Sequence, residues 1–135
     1  MPEFKPEFTW DHTHIKTYDV PATAAWLQKF LGAANVQGTA VSEARADLVI
    51  GGTKVIVTQV KQGDGVNATP AIPYAGFEHF GLGVKDLDKV AADLKAQGVE
   101  FTREPVTPRP GLRICFIRSP QGVSIELLER DAKYS

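Results

Sequence analysis

Four polar residues fall into two matched pairs when the chain is compared with itself. A shift of 67 positions places His12 on His79 and also Gln59 on Glu126. Two imidazoles, one amide and one carboxylate form a nitrogen and oxygen donor set for a divalent metal, with positions left open for water or substrate. The repeat therefore predicts one bound ion of zinc, nickel, cobalt, manganese or iron, with these four residues as its ligands.

Each of the four residues also has an ordinary structural interpretation. A single histidine is more often hydrogen-bonded than metal-bound, Glu126 can pair with a neighbouring arginine, and Gln59 can lie on an edge strand in water. A carboxylate inside an apolar run is costly to bury, however, unless it is paired or binds a cation. The equivalence of the residues in the repeat favours the metal.

Three further residues are candidates for the same site. His14 lies two residues after His12 on one strand face but matches Gly81 in the repeat, so we take His12 as the ligand and His14 as a candidate proton-transfer group. Lys16 on that face and Arg113 on the penultimate strand are candidates for binding an anionic group of a substrate. Both also suit a solvated surface.

Apolar periodicity indicates the elements that must position these residues. Alternation predicts strands at residues 12–17 and 79–84, each followed by a helix with an aspartate, Asp19 or Asp86, as its N-cap. Gly32 and Gly98 are expected to end the two helices. The remaining predicted strands are residues 39–42, 47–50, 54–60, 99–102, 112–117 and 123–128.

The order of these elements predicts an α+β fold built from two tandem βαβββ modules. Module 1 covers about residues 10–60, residues 61–76 form an aperiodic linker, and module 2 covers about residues 77–130, all within one domain of residues 1–135. If the modules pair about a pseudo-twofold axis, the four ligand candidates meet in a central cleft.

Composition limits the possible partners. The chain has 135 residues, 15 basic and 16 acidic, a formal net charge of −1 and 43% hydrophobic residues, which is typical of a soluble globular protein. Near-neutral charge argues against nucleic acid and membrane surfaces as partners, and no apolar run is long enough to span a membrane. Without a signal-like N-terminus, we expect a cytoplasmic protein that acts on a small molecule, with the lone Cys115 as a buried thiol.

Three segments of the sequence resemble the vicinal oxygen chelate superfamily, which includes glyoxalase I, methylmalonyl-CoA epimerase, extradiol dioxygenases, and fosfomycin resistance and bleomycin-binding proteins. They are His12 to Asp19 with the alanine-rich helix ending in Phe30-Leu31-Gly32, then Gly76-Phe77-Glu78-His79, and then Ser119 to Leu127. The resemblance covers residues 12–130, and the ligand pattern is most similar to glyoxalase I and methylmalonyl-CoA epimerase. It implies a curved mixed sheet around the metal, and a homodimer.

The same resemblance implies a metal-dependent lyase or isomerase. In such enzymes a substrate chelates the metal through two neighbouring oxygens while a proton is removed beside a carbonyl, and Glu126 is the candidate base. The further catalytic glutamate of the epimerases has no match in residues 47–50.

Two alternatives remain open at this stage. His12, His79 and Glu126 also form the two-histidine, one-carboxylate set of a non-haem iron dioxygenase of the extradiol type, although Gln59 would then occupy a position that oxygen or catechol needs. A metal-free binding or antibiotic-resistance protein can use the same cleft, but it has no reason to keep four ligand-type residues.

Overall fold

Each half of the chain follows the order β-α-β-β-β in the computed structural model, which describes residues 3–131. The first half contains β1 (His12–Thr17), α1 (Val20–Leu31), β2 (Ala34–Asn35), β3 (Arg45–Ile50) and β4 (Thr53–Gln59). The second half contains β5 (His79–Gly83), α2 (Leu87–Ala96), β6 (Glu100–Arg109), β7 (Leu112–Arg118) and β8 (Ser124–Arg130). The predicted α+β fold with two tandem βαβββ modules is confirmed, and the chain divides into two compact units, residues 1–61 and 62–135.

The sheet of the first unit has the strand order β1-β4-β3-β2, with β1 parallel to β4 and the other pairs antiparallel. Helix α1 buries Val20, Ala24 and Leu27 against one face of this sheet, where Leu48 and Val57 are also fully buried. Since side chains alternate along a strand, the other face carries the polar residues of β1 and β4.

The second unit repeats this arrangement with the strand order β5-β8-β7-β6, in which β5 and β8 are parallel. Helix α2 packs on β6, β7 and β8, and the buried residues of this unit include Leu87, Ile117 and Ile125. The edge strand β6 contains Pro105 and Pro108 and pairs with β7 through several register shifts, as expected where a missing N–H is tolerated. No helix within residues 3–131 is long and apolar enough to cross a membrane.

The two helices begin in different ways. In α1 the predicted cap is confirmed, because Asp19 Oδ1 accepts a hydrogen bond of 3.0 Å from Ala22 N. The predicted side-chain cap at Asp86 is wrong, since this residue has a φ of 56° and its side chain makes no capping bond. Glu129 of β8 takes its place and accepts hydrogen bonds from the backbone N–H groups of Asp86, at 3.3 Å, and Leu87, at 2.9 Å.

The predicted strand at residues 39–42 is also wrong. The chain there turns, with Thr39 N donating to Val36 O, and Ser42 Oγ accepts hydrogen bonds from Ala44 N and Arg45 N. A serine that bonds nearby backbone groups competes with strand pairing, which accounts for the difference. The short strand β2 precedes this turn and pairs with β3 instead.

Candidate functional site

His79 and Glu126 lie side by side on one face of the second sheet. The register of the parallel strands β5 and β8 pairs Gly81 with Glu126, and His79 Nε2 lies 3.4 Å from Glu126 Oε1. Ile125 and Leu127 point to the buried face next to α2, so Glu126 points the other way, with its side chain 18% exposed. The pair offers one nitrogen and one oxygen donor in a partly desolvated position.

The ring of His79 is held in place from its other nitrogen. Nδ1 donates to Glu78 Oε1 at 2.8 Å, and the second oxygen of Glu78 accepts a hydrogen bond of 3.3 Å from Tyr74 N. Phe116 packs edge-on against the imidazole, with the ring centroids 5.0 Å apart. A carboxylate at Nδ1 is the usual way in which proteins orient a metal-binding histidine, because it leaves Nε2 free for the metal.

His12 has the same kind of neighbour in the first unit. Its Nδ1 donates to Asp11 Oδ2 at 2.7 Å, which holds the pKa of Asp11 below its ordinary value. Sequence reasoning missed the roles of Asp11 and Glu78. The signal was present, because the shift that places His12 on His79 also places Asp11 on Glu78.

The structure does not bring Gln59 to the face that carries His12, which corrects the expected orientation. Gln59 is the register partner of the buried Thr17, whereas His12 pairs with Lys54. Side chains on these two positions therefore point to opposite sides of the sheet.

The same registers show which residue of the first unit stands where Glu126 stands in the second. Glu126 lies two residues beyond Ser124, the partner of His79, and the residue two beyond Lys54 is Ile56. The 67-residue shift matches Glu126 to Gln59, whereas strand pairing matches it to Ile56. These two positions are an odd number of residues apart, so their side chains point to opposite faces of the sheet. Ile56 carries no donor atom for a metal.

His14 is held by Thr58 on the face that it shares with His12. His14 Nε2 lies 2.7 Å from Thr58 Oγ1, and Lys16 Nζ donates to the same oxygen at 3.5 Å. Burial, and then the charges of Lys16, His12 and Arg45, lower the pKa of His14 below its ordinary value of 6.5. The imidazole is therefore neutral at neutral pH.

Arg113 does not reach the face of His79 and Glu126, which corrects its assignment as an anion-binding candidate beside them. The register of β7 and β8 pairs Arg113 with Glu129, on the side of the sheet covered by α2. Its guanidinium binds both carboxylate oxygens of Asp88 in that helix, at 2.8 and 2.7 Å, and holds the pKa of Asp88 below its ordinary value. Arg113 thus ties helix to sheet.

The donor chemistry of this face suits a divalent metal only in part. His79 and Glu126 supply two suitable ligand atoms, and Glu78 orients the histidine. Within residues 3–131, no three side chains of His, Cys, Asp or Glu form a group able to hold a metal ion.

Comparison with known proteins gives a family match over most of the chain. The family model described as "Glyoxalase/Bleomycin resistance protein/Dioxygenase superfamily" matches residues 9–127. A protein of Arabidopsis thaliana described as "Probable lactoylglutathione lyase, chloroplastic" is 46% identical over 57 residues, which are 42% of this chain and 16% of that protein. A similarly described protein of Synechocystis is 34% identical over 59 residues, 43% of this chain and 45% of the relative. The matches thus span less than half of the curated relatives.

Solved structures show the same fold at lower identity. A glyoxalase family protein from Enterococcus faecalis superposes with a TM-score of 0.69 and 24% identity, covering 87% of this chain and 94% of that one. A fosfomycin resistance protein from Listeria monocytogenes superposes with a TM-score of 0.68 and 18% identity, covering 93% and 94% of the two chains.

Proposed function

The chain belongs to the Glyoxalase/Bleomycin resistance protein/Dioxygenase superfamily, and we propose that it is a metal-dependent lyase or isomerase of the glyoxalase type. One observation carries the proposal: His79 Nε2 lies 3.4 Å from Glu126 Oε1 while Glu78 occupies the other ring nitrogen. The partial matches to lactoylglutathione lyases support the lyase class. The proposed substrate is a small molecule with two neighbouring oxygens, one of them a carbonyl.

We propose His79 and Glu126, which lie side by side in the second unit, as ligands of the metal, and we propose His12 as a further ligand because the repeat matches it to His79. His12 is included because Asp11 orients it as Glu78 orients His79, with Nε2 left available. Gln59 is omitted because it points to the buried face. The nitrogen and oxygen donors fit zinc, nickel, cobalt, manganese or iron. The homodimer implied by the family resemblance is part of the same proposal.

The chemistry assigned to Glu126 is proton transfer. A divalent cation, when bound, would stabilise the negative charge that develops on a carbonyl oxygen during enolisation. The Glu126 carboxylate, once a bound substrate has replaced it as a ligand, would accept the proton from the carbon beside the carbonyl and return it to the neighbouring carbon. The neutral imidazole of His14 is a candidate for a second proton transfer on the first unit.

One observation favours a second candidate, a non-haem iron dioxygenase of the extradiol type. His12, His79 and Glu126 would supply the two histidines and one carboxylate of such an iron site, which leaves metal positions open for oxygen and a catechol. Gln59 would have blocked such a position, but the register of β1 and β4 places it on the opposite face from His12.

Metal content is the first test. The protein is purified without added metal, challenged with each of the five ions, desalted and measured by elemental mass spectrometry. We expect about one ion per chain in the unmodified protein, loss of that ion in His12→Ala and Glu126→Ala, and retention in Glu104→Gln. Glu104 is a suitable control because it lies on the edge strand β6, paired with Lys95. Unchanged metal content in Glu126→Ala would exclude the assignment.

A second measurement separates the two enzyme classes. The metal-loaded protein is incubated in heavy water with 2-oxoaldehydes plus glutathione, with acyl-CoA thioesters, and, under air, with catechols. Deuterium entering the carbon beside a carbonyl identifies the lyase or isomerase, and Glu126→Gln should abolish it. Oxygen consumption with ring opening of a catechol, dependent on ferrous iron, identifies the dioxygenase. Neither reaction in a metal-loaded protein would contradict both candidates.

A further inference from the structure

Three polar residues form a row across the first sheet, on the face that carries His14. Thr58 of β4 is the register partner of Lys16 in β1 and of Arg45 in β3. Register partners on neighbouring strands point to the same side of a sheet and lie about 5 Å apart. A hydroxyl group therefore lies between two cations.

Thr58 Oγ1 is shared by two side chains of β1. It accepts a hydrogen bond from Lys16 Nζ at 3.5 Å and lies 2.7 Å from His14 Nε2. In the tautomer of His14 that carries its proton on Nε2, the hydroxyl proton of Thr58 can donate to a group outside the protein. A hydroxyl donor that lies between two cations suits a negatively charged ligand with several acceptor oxygens.

Arg45 is fixed in position by its neighbour on the same strand. Its Nε and Nη2 atoms donate to the carboxylate of Asp47 at 2.9 to 3.2 Å, an arrangement that does not use Nη1. A guanidinium held along one edge keeps its remaining donors in a defined direction. These bonds leave Nη1 of Arg45 as a donor at one end of the row.

The charges of the row are not balanced. Asp47 neutralises Arg45, but within residues 3–131 no carboxylate forms an ion pair with Lys16. Strand β4 separates Lys16 from Arg45, so the uncompensated charge of the row is that of Lys16. A bound anion would balance this charge.

We propose that Lys16, Thr58 and Arg45 form a binding site for an oxyanion, either a carboxylate or a phosphate group. The row provides two charge-assisted donors and one hydroxyl donor, which suit the several oxygens of such a group. The site lies within the first unit and needs no metal. Its extension, that the substrate of the enzyme carries an anionic end, rests on the proposed function.

The test is an NMR titration of metal-depleted protein in a Tris buffer of constant ionic strength, with inorganic phosphate in one series and acetate in another. We expect the backbone amide signals of Lys16, Thr58 and Arg45 to shift in a saturable way with at least one of the two anions, and the tighter series identifies its class. Lys16→Gln and Thr58→Val should weaken binding at least fivefold.

Two control variants sharpen the result. Lys54→Gln removes a cation from the same face two positions before Ile56, outside the row, and should change the affinity less than twofold. Thr58→Ser keeps the hydroxyl and should restore binding lost in Thr58→Val. The site would be overturned if Lys16→Gln and Lys54→Gln weakened anion binding equally. It would also be overturned if no signal shifted in a saturable way up to about 50 mM anion, the weakest affinity that would matter. Since no metal is present, this outcome is independent of the enolisation test.

Discussion

At the scale of single residues, the organisation around the two repeated histidines is the most informative feature. His12 and His79 each donate from Nδ1 to the carboxylate of the residue that precedes them, at 2.7 and 2.8 Å. Such a bond fixes the tautomer and the ring plane, so that Nε2 is presented with its lone pair outward. The acid-histidine pair, rather than the histidine alone, is therefore the arrangement that the two halves of the chain repeat.

This interpretation makes Glu78 a positioning residue for the proposed metal site. Glu78→Gln removes the charge at Nδ1 of His79 but keeps a side chain of the same size. We expect metal affinity to fall about 10- to 100-fold while the fold is retained, because a neutral amide orients the imidazole less firmly. Competition with a chromogenic chelator measures the affinity, with Glu104→Gln as control. An affinity equal to that of the unmodified protein would show that Glu78 has only a structural role.

The two histidines of β1 should respond differently to removal. His14 already uses Nε2 in its 2.7 Å contact with Thr58, whereas His12 has Nδ1 engaged and Nε2 available. We expect His14→Ala to keep the metal and His12→Ala to lose it, as measured by elemental mass spectrometry after desalting. The reverse result would mean that His14 is the ligand.

At the scale of elements, the register of β5 and β8 requires a small residue beside Glu126. A Cβ atom added to Gly81 would lie 2.8 Å from Leu128 Cδ1 and 3.6 Å from Glu126 Oε1. We expect Gly81→Ala to reduce the free energy of unfolding by about 1 kcal/mol, because Leu128 must rotate away.

Gly83 provides the matched control on the same strand, because an added Cβ there has no neighbour within 4 Å. Gly83→Ala should be neutral or stabilising by about 0.5 kcal/mol, since alanine loses less backbone entropy on folding. Urea unfolding of the two variants measures the difference. Equal effects would contradict the close approach at Gly81.

The helix caps give a second prediction for the elements. Asp19→Ala removes the side-chain cap of α1, and Glu129→Ala removes the cap that β8 supplies to α2. Each should cost about 1 kcal/mol of unfolding free energy, whereas Asp86→Gly should be neutral or stabilising by about 0.5 kcal/mol, because Asp86 makes no capping bond and glycine adopts its φ of 56° without strain. Thermal and urea unfolding test all three. A loss of stability in Asp86→Gly would restore the sequence-based assignment of the cap.

Sequence patterns were sufficient for both helices and most strands, but not for the strand expected at residues 39–42 or for the registers. The strands at His79 and Glu126 and both helices follow from periods of two and of about 3.6 residues, and the order βαβββ follows from them. The repeat matches Gln59 to Glu126, but Gln59 follows the buried Val55 and Val57 at two-residue spacing, and the register confirms that it shares their face. The role of Arg113 could not be read from its neighbours in the sequence, because its partner Asp88 lies 25 residues away in the chain.

At the scale of the whole molecule, each unit has its own helix packed on its own sheet, so each has a separate hydrophobic core. The candidate metal ligands His12, His79 and Glu126 lie on the opposite faces of the two sheets, where side chains are only partly buried. The cores can therefore be probed without disturbing the candidate ligands. The sequence offers one such probe, because its only cysteine, Cys115, is fully buried in the second unit.

Burial raises the pKa of the Cys115 thiol from 9.0 to about 11, with nearby carboxylates adding to the effect. Because the thiolate is the reactive form, alkylation by iodoacetamide at pH 8 should be at least about 100-fold slower in the native protein than in urea. The unfolded chain ionises at lower pH, so this thiol reduces stability progressively as pH rises from 9 to 11. Cys115→Ser and Cys115→Ala variants separate this pH dependence from that of other groups. Rapid native alkylation at pH 8 would show that the core of the second unit opens far more readily than its packing indicates.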